Sequence, residues 1–302
     1  MRTIKTVYTD KYDANSPTAS MRKLRLVAEE AEKRGLAELV EPKDCDIVGK
    51  LKRLHSTRYV DAFVNGPTSK KDRWLAESQG WEWTPEIRDG VLEINKGQLT
   101  AAELAFEEGV SANVAQGFHH APYESGMGFC TFNGLALVAQ ENPDKKVVVL
   151  DCDEHGGNGT EDFTERLPNL KQVTIHGQPF GCHGSEKSIC VHVEGVTKDF
   201  TPYYNALKLA FEKIDEWNPD LVIYQAGADP HVDDPLGSVG LTTEQMRERD
   251  GIVFDELRYR NIPTMFVLAG GYQEPIRELL MPLHVNTFEE AAKAYAGSEV
   301  SA

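Results

Sequence analysis

Residues 147–163, VVVLDCDEHGGNGTEDF, run from an apolar segment straight into two aspartates, a glutamate and a histidine, with three glycines close behind. Asp153 and His155 are separated by one residue, and at a strand end that spacing points both side chains the same way. A carboxylate oxygen and an imidazole nitrogen so placed can share one metal ion. A hydrolytic zinc site takes three protein ligands and keeps a position for water. Asp229, in QAGADPH after another apolar run, is the best third ligand. Gly156, Gly157 and Gly159 would allow tight turns and leave room above the metal. Taken alone, the motif reads equally well as a helix entry with capping carboxylates. Asp151 shares the face of Asp153 and His155, but a fourth ligand would close the site. It is expected to orient a histidine by accepting its N–H.

The adjacent pair His119 and His120 is followed by GMGFCTFNG. On an extended segment the two rings would diverge; in a turn both can face one cavity. Phe129, inside that glycine-rich run, could wall a narrow apolar channel or simply pack. Tyr272 follows Gly270 and Gly271, which could expose its hydroxyl. Asp229-Pro230-His231 is a possible second metal pair. One ion is the preferred reading, because no further carboxylates repeat the pattern.

These groups need a scaffold. Apolar β-rich runs at 6–9, 112–116, 146–150, 172–175, 190–193, 221–225 and 264–268 alternate with helical periodicity, the pattern of a parallel sheet covered on both faces. In YNALKLAFEKIDEW, Leu207, Ala210, Phe211 and Ile214 form an i, i+3, i+4, i+7 stripe. Residues 18–33 and 100–108 also read as helices. Residues 69–94, with Trp74, Trp81 and Trp83, are expected to be an ordered loop insertion. Four of the strands end in candidate chemistry: the histidine pair, the 151–155 cluster, Asp229 and Tyr272. The carboxyl ends of parallel strands are where such sheets bind ligands. The expectation is one α/β domain spanning 1–302.

No run of eighteen apolar residues suggests a membrane span, and the first residues lack the apolar segment of a secretory signal. Five scattered cysteines without CxxC pairing argue for a reducing compartment, so cytoplasm is expected. A net charge of −16 without a basic stripe argues against direct binding of nucleic acid.

The motifs GFHHAPYESGMGFCTFNGLALVA (117–139), VVVLDCDEHGGNGTEDF (147–163), IYQAGADPHVDDPLG (223–237) and VLAGGYQ (267–273), with LHSTRYVDAF (54–63), occur in order along most of the chain. Together they resemble the zinc-dependent histone deacetylase superfamily, which includes acetylpolyamine amidohydrolases and acetoin-utilisation proteins. The compact length and residues 247–273 are most similar to class IV deacetylases and their bacterial relatives. The resemblance implies the arginase/deacetylase fold, a single three-layer domain with a mainly parallel sheet of about eight strands. It implies an amidohydrolase with zinc, or ferrous iron, on Asp153, His155 and Asp229. His120 would be general base and then acid. His119, paired with Asp151, would be its electrostatic partner, and Tyr272 would bind the carbonyl oxygen. A structural potassium ion would sit on Asp151, Asp153, His155, Thr174 and Ile175. Gly128, Phe129 and Phe180 would line an acyl-lysine tunnel.

This chain departs from the family pattern in places. Gly156 stands where many members have a second histidine, so a substrate-side wall is missing. Asn158 rather than an aspartate would partner His120, and an amide carbonyl stabilises imidazolium less than a carboxylate does. The N-terminal motif is reduced to ANSP (14–17). The implied substrate is an acylated lysine of a protein or peptide. A small acylated amine is the alternative, favoured if the tryptophan-rich 69–83 segment narrows the tunnel. A silent acyl-binding module is disfavoured by intact candidates at every position, and oligomeric state is left open.

Overall fold

The computed structural model describes residues 1–13 and 18–297, so the ANSP segment lies outside the described residues. Eight strands form one sheet: β1 (Ile4–Val7), β2 (Ala37–Val40), β3 (Val110–Asn113), β4 (Val147–Asp151), β5 (Leu170–His176), β6 (Ser188–His192), β7 (Leu221–Gln225) and β8 (Thr264–Val267). Their order is β2-β1-β3-β8-β7-β4-β5-β6 and every pairing is parallel. Parallel neighbours cannot be joined by hairpins, so the chain crosses over between strands through helices that cover the faces. Accordingly β3, β4, β7 and β8 are buried along their whole length, whereas the edge strands β2 and β6 are only partly so. Among the described residues no helix is long and apolar enough to cross a membrane.

This order sets β3, β8, β7 and β4 side by side at the centre. They are the four strands after which the candidate residues follow. Groups as far apart in sequence as His119 and Tyr272 therefore emerge at one rim, one strand spacing of about 4.8 Å from the next.

The 69–94 segment is not a loop. It contains a helix at Lys70–Ala76 and the first turns of a second, Pro85–Glu108, which absorbs the expected 100–108 helix. The short helix is capped by Ser69 accepting from the Asp72 N–H, and it is too short to show a period. The long one starts where the Thr84 hydroxyl accepts from the Ile87 N–H with Pro85 in the first turn, and ends at Gly109 with φ +80°. Its buried face passes from Ile87, Val91 and Ile94 to the polar Asn95 and Gln98. Their NH2 groups are satisfied there, Asn95 donating to the Val91 carbonyl and Gln98 to the Gln116 carbonyl. The second bond ties this helix to the segment leading to the histidine pair. Of the tryptophans, Trp74 is 65% exposed, Trp81 is buried, and Trp83 donates to the Phe63 carbonyl.

The LHSTRYV motif has a structural role. His55 is buried against Phe132 and Phe163, with Nδ1 at 3.0 Å from the Pro122 carbonyl and Nε2 accepting from the Asn133 N–H at 3.0 Å. That pairing fixes the neutral tautomer. Burial pushes its pKa down to about 4, against the weaker pull of the Pro122 carbonyl. The unfolded chain therefore takes up this proton first, and stability falls as pH drops from about 6.5 to about 4, by up to about 3 kcal/mol from this group. His55→Gln is expected to lower the melting temperature at pH 7.5 and to flatten its fall towards pH 5, measured by thermal denaturation across pH.

Candidate active site

After β3 the chain bends through Phe118 at φ +59°, and the turn brings the His119 and His120 ring centroids to 3.9 Å at a 37° tilt, both facing one cavity. Both are buried. His119 Nδ1 lies 2.7 Å from Asp151 Oδ2, and His120 Nδ1 lies 2.7 Å from Asn158 Oδ1. Burial works against a charged His119, but the Asp151 and Asp153 carboxylates outweigh it and raise its pKa. His120 goes the other way, held well below its ordinary value by burial and then by its neighbour His119.

Asp153, His155 and Asp229 converge just past β4 and β7, with one donor atom of each within 4.8 Å of the others, all buried. His155 Nδ1 is 3.4 Å from Asp153 Oδ1 and 3.3 Å from Asp229 Oδ2. Backbone amides take up part of the carboxylate charge: Asp153 accepts from the His155 and Gly270 N–H groups, and Asp229 Oδ1 from the Glu154 N–H. Asp229 Oδ2 is buried without a hydrogen-bond partner. Burial and the adjacent Asp153 push Asp229 up to about 7. Two desolvated carboxylates beside an imidazole, with one oxygen left bare, are a donor set that fits a divalent cation.

The close approach of these groups depends on Gly227, which the sequence does not single out, and on Gly270, expected only to expose Tyr272. A Cβ on Gly270 would fall 2.1 Å from Asp229 Oδ2, and one on Gly227 would fall 2.6 Å from the Asp153 Cα. Gly156, Gly157 and Gly159, by contrast, do not hold space open above the cluster. They pack against the Pro179 carbonyl and Cys182, against Asp151, and against the backbone of His120 and Ala121 respectively. Close packing of loops, rather than clearance, is what demands glycine there.

Tyr272 extends from the β8 tip, its backbone N–H donating to Asp234 Oδ2 at 2.7 Å. Burial, then the charges of Asp229 and Asp153, push its phenol well above the ordinary value, so it remains a donor. Phe129 lies 6.0 Å from the Tyr272 ring and is backed by Trp81, stacked on it at 6.0 Å. Phe180 lies 4.1 Å from His120 and 5.6 Å from His155. Gly128 fits between His120 and Phe180, where a Cβ would meet them at 2.7 and 3.1 Å. Phe118, Phe129, Phe180 and Ala269 all have φ between +47° and +64°. Left-handed backbone at non-glycine residues is costly, and here it gathers around one cavity.

Thr174 pairs with Asp151 across β4 and β5, and Ile175 follows it. His231 turns aside, its ring engaged by Thr243 and the Asp233 N–H.

Four supporting residues escape sequence reasoning. Lys23 is fully buried and donates to the Ala269 and Gly270 carbonyls at 2.6 and 2.7 Å. Glu154 accepts from Ser238 and the Val239 N–H, fixing the loop after Asp229. Asp234 positions Tyr272. Arg249 donates to the Gly227 and Cys152 carbonyls from beneath. Each is a charged residue whose remote partner leaves no local sign; Glu154 and Asp234 lie inside the 147–163 and 223–237 motifs and Arg249 within 247–273, but none was marked by its type.

Residues 17–288 match the family model for the histone deacetylase domain. An uncharacterised protein of a Picosynechococcus strain is 30% identical over 239 residues, 76% of this chain and 77% of that protein. Histone deacetylase 2 of Arabidopsis thaliana is 34% identical over 189 residues, which are 59% of this chain but only 48% of that protein. Among solved structures, an acetylpolyamine aminohydrolase from Burkholderia pseudomallei superposes with a TM-score of 0.81 over 97% of this chain and 99% of its own, at 18% identity. That likeness establishes the fold.

Replacing Asp229 by Asn is expected to weaken divalent-metal binding by more than about 100-fold, since even supporting contacts to metal ligands are worth 10–100-fold. Elemental analysis of the dialysed protein against wild type, with circular dichroism to verify folding, measures it.

Proposed function

The chain belongs to the histone deacetylase family, and we propose that it hydrolyses the N-acyl amide of acylated lysine side chains in a protein or peptide, with zinc held by Asp153, His155 and Asp229. The observation that carries this reading is the pair of aromatic rings beside the catalytic candidates. Phe180 stands against His120 and Phe129 against Tyr272, flanking the carboxylate–histidine cluster with apolar surface. An acyl-lysine stem is a slender apolar chain with an amide at its end, which suits such walls.

Bound there, a zinc ion supplies a Lewis acid for the amide carbonyl and lowers the pKa of water towards about 7. The protein's own groups do the rest. Asn158 Oδ1 accepts from His120 Nδ1–H, which leaves the Nε2 lone pair free to take a proton from the attacking water. Asp151 accepts from His119 Nδ1–H and fixes that ring, and its carboxylate offsets the charge by which His119 opposes protonation of the neighbouring ring. The Tyr272 hydroxyl donates to the carbonyl oxygen as it becomes an oxyanion, an interaction whose loss costs roughly 10² to 10³ in rate. His120 then returns the proton to the departing amine.

A structural potassium ion on Asp151, Asp153, His155, Thr174 and Ile175 belongs to the same proposal. Its support here is the Thr174 hydroxyl, buried beside Asp151 without a hydrogen-bond partner.

A small acylated amine is the second reading. Against it, the tryptophans do not narrow the tunnel: Trp81 lies behind Phe129, and exposed Trp74 lines a separate open groove with Arg58, Tyr59, Lys71, Leu75 and Glu124. That groove offers a flanking peptide something to lie on.

Zinc-loaded protein assayed on an acetyl-lysine peptide and on acetylputrescine tests the proposal, with Tyr272→Phe alongside. Peptide turnover is expected, with kcat lowered about 10² to 10³-fold in the variant. Turnover of acetylputrescine alone would transfer the reading to small-molecule metabolism, and hydrolysis unaffected by the variant would remove Tyr272 from the mechanism.

A further inference from the structure

A second group of metal-capable side chains lies outside the machinery described above. Glu161 on the helix Asn158–Arg166, Cys182 in the β5–β6 connection and Cys190 on β6 bring a carboxylate oxygen and two sulfurs within 4.8 Å of one another. The arrangement is anchored. Glu161 accepts from the His183 and Gly184 backbone N–H groups, from the Ser188 hydroxyl at 2.7 Å and from the Cys190 thiol at 3.4 Å.

His176, the last residue of β5, supplies the independent observation. It is 3% exposed, and neither ring nitrogen has a hydrogen-bond partner of good geometry among the described residues. Cys190 pairs with Thr174 across the ladder, and His176 follows Thr174 by two residues. Side chains two apart share a face of the sheet, so the imidazole and the thiol stand side by side. The Cys190 thiol is pushed down to about 6, chiefly by the Cys182 thiol and also by the His176 ring. A buried imidazole with both nitrogens bare is costly, and it stands beside the Cys190 thiol, at the edge of the Glu161–Cys182–Cys190 group.

We propose that Glu161, Cys182, Cys190 and His176 form a second cation site, for a thiophilic divalent ion such as zinc, distinct from the Asp153–His155–Asp229 cluster. Two sulfurs, one nitrogen and one oxygen are a four-coordinate donor set of the structural kind. Binding converts both thiols to thiolates, releasing two protons to solvent, and the cation replaces the contact between the Cys190 thiol and Glu161. The ion would join the helix that begins at Asn158 to the connection that carries Phe180. Cys182 also stands against Gly156, where a Cβ would lie 2.9 Å from its sulfur, so the site braces the backbone next to His155.

Cobalt(II) titration of the reduced full-length chain tests this, because sulfur-to-cobalt charge transfer in the near ultraviolet arises only from thiolate ligands. The Asp153–His155–Asp229 cluster is silent in that band, so the result is independent of the catalytic reading. The band is expected to saturate at one cobalt per chain and to be displaced by zinc. It should vanish in the Cys182→Ser, Cys190→Ser double variant, while His176→Asn weakens binding by about tenfold or more. Absence of the band in reduced wild type overturns the proposal without reference to any variant, as does its persistence in the folded double variant. A Cys182–Cys190 disulfide formed on peroxide treatment, in a protein that binds no cobalt when reduced, would assign the pair to thiol oxidation instead.

Discussion

Negative charge held out of water dominates the architecture at the rim of this sheet. Asp151, Asp153, Glu154, Asp229 and Asp234 are each at most 5% exposed. Desolvating a carboxylate costs several kcal/mol unless it is compensated. The compensation explains most local features: the His119 ring on Asp151, the Gly270 amide on Asp153, the Ser238 hydroxyl on Glu154 and the Tyr272 amide on Asp234. At Asp229 Oδ2 the nearest donor is His155 Nδ1 at 3.3 Å, without good hydrogen-bond geometry, and the remaining demand is for a cation. Glycine at 227 and 270 is a corollary, since the strand tips must approach until their atoms almost touch the carboxylates.

The same economy governs the layer beneath. Arg249, fully buried, joins Asp250, and Asp250 in turn accepts from Tyr224 and Thr287. Through its bonds to the Gly227 and Cys152 carbonyls, this ion pair fixes the backbone from which Asp153 and Asp229 project. A polar platform under an apolar-walled cavity lets the rim be rigid without being hydrophobic.

Much of this arrangement was readable from residue types and spacing. Asp153-x-His155 and Asp229 lie at the ends of long apolar runs, and period-two alternation needs no tertiary information to align them. The tandem histidines were ambiguous until Phe118 turned the chain, because the outcome depended on a left-handed residue that composition does not announce. The helix Pro85–Glu108 was half hidden. Ile87, Val91 and Ile94 keep a helical period, but Asn95 and Gln98 then occupy the buried face, and amides that donate to carbonyls inside a core look like surface. Lys23, Asp234 and Arg249 were illegible for the converse reason: a charge that bonds to backbone groups far along the chain carries no local mark. The short strand β2, Ala37–Val40, is an edge with two faces unequally covered, and four residues are too few to establish a pattern.

The bond from Lys23 to the carbonyls of Ala269 and Gly270 spans 246 and 247 residues of sequence. Contacts so remote close a very large loop, and chains rich in them organise slowly. The ammonium sits between the helices Ala19–Arg22 and Leu24–Lys33, whereas its acceptors follow β8, so the two are synthesised far apart in time. The rim beside β8 therefore cannot acquire its final shape until β8 and the residues just after it have been made, and until then the gap between β3 and β7 stays unfilled and Lys23 lacks its acceptors.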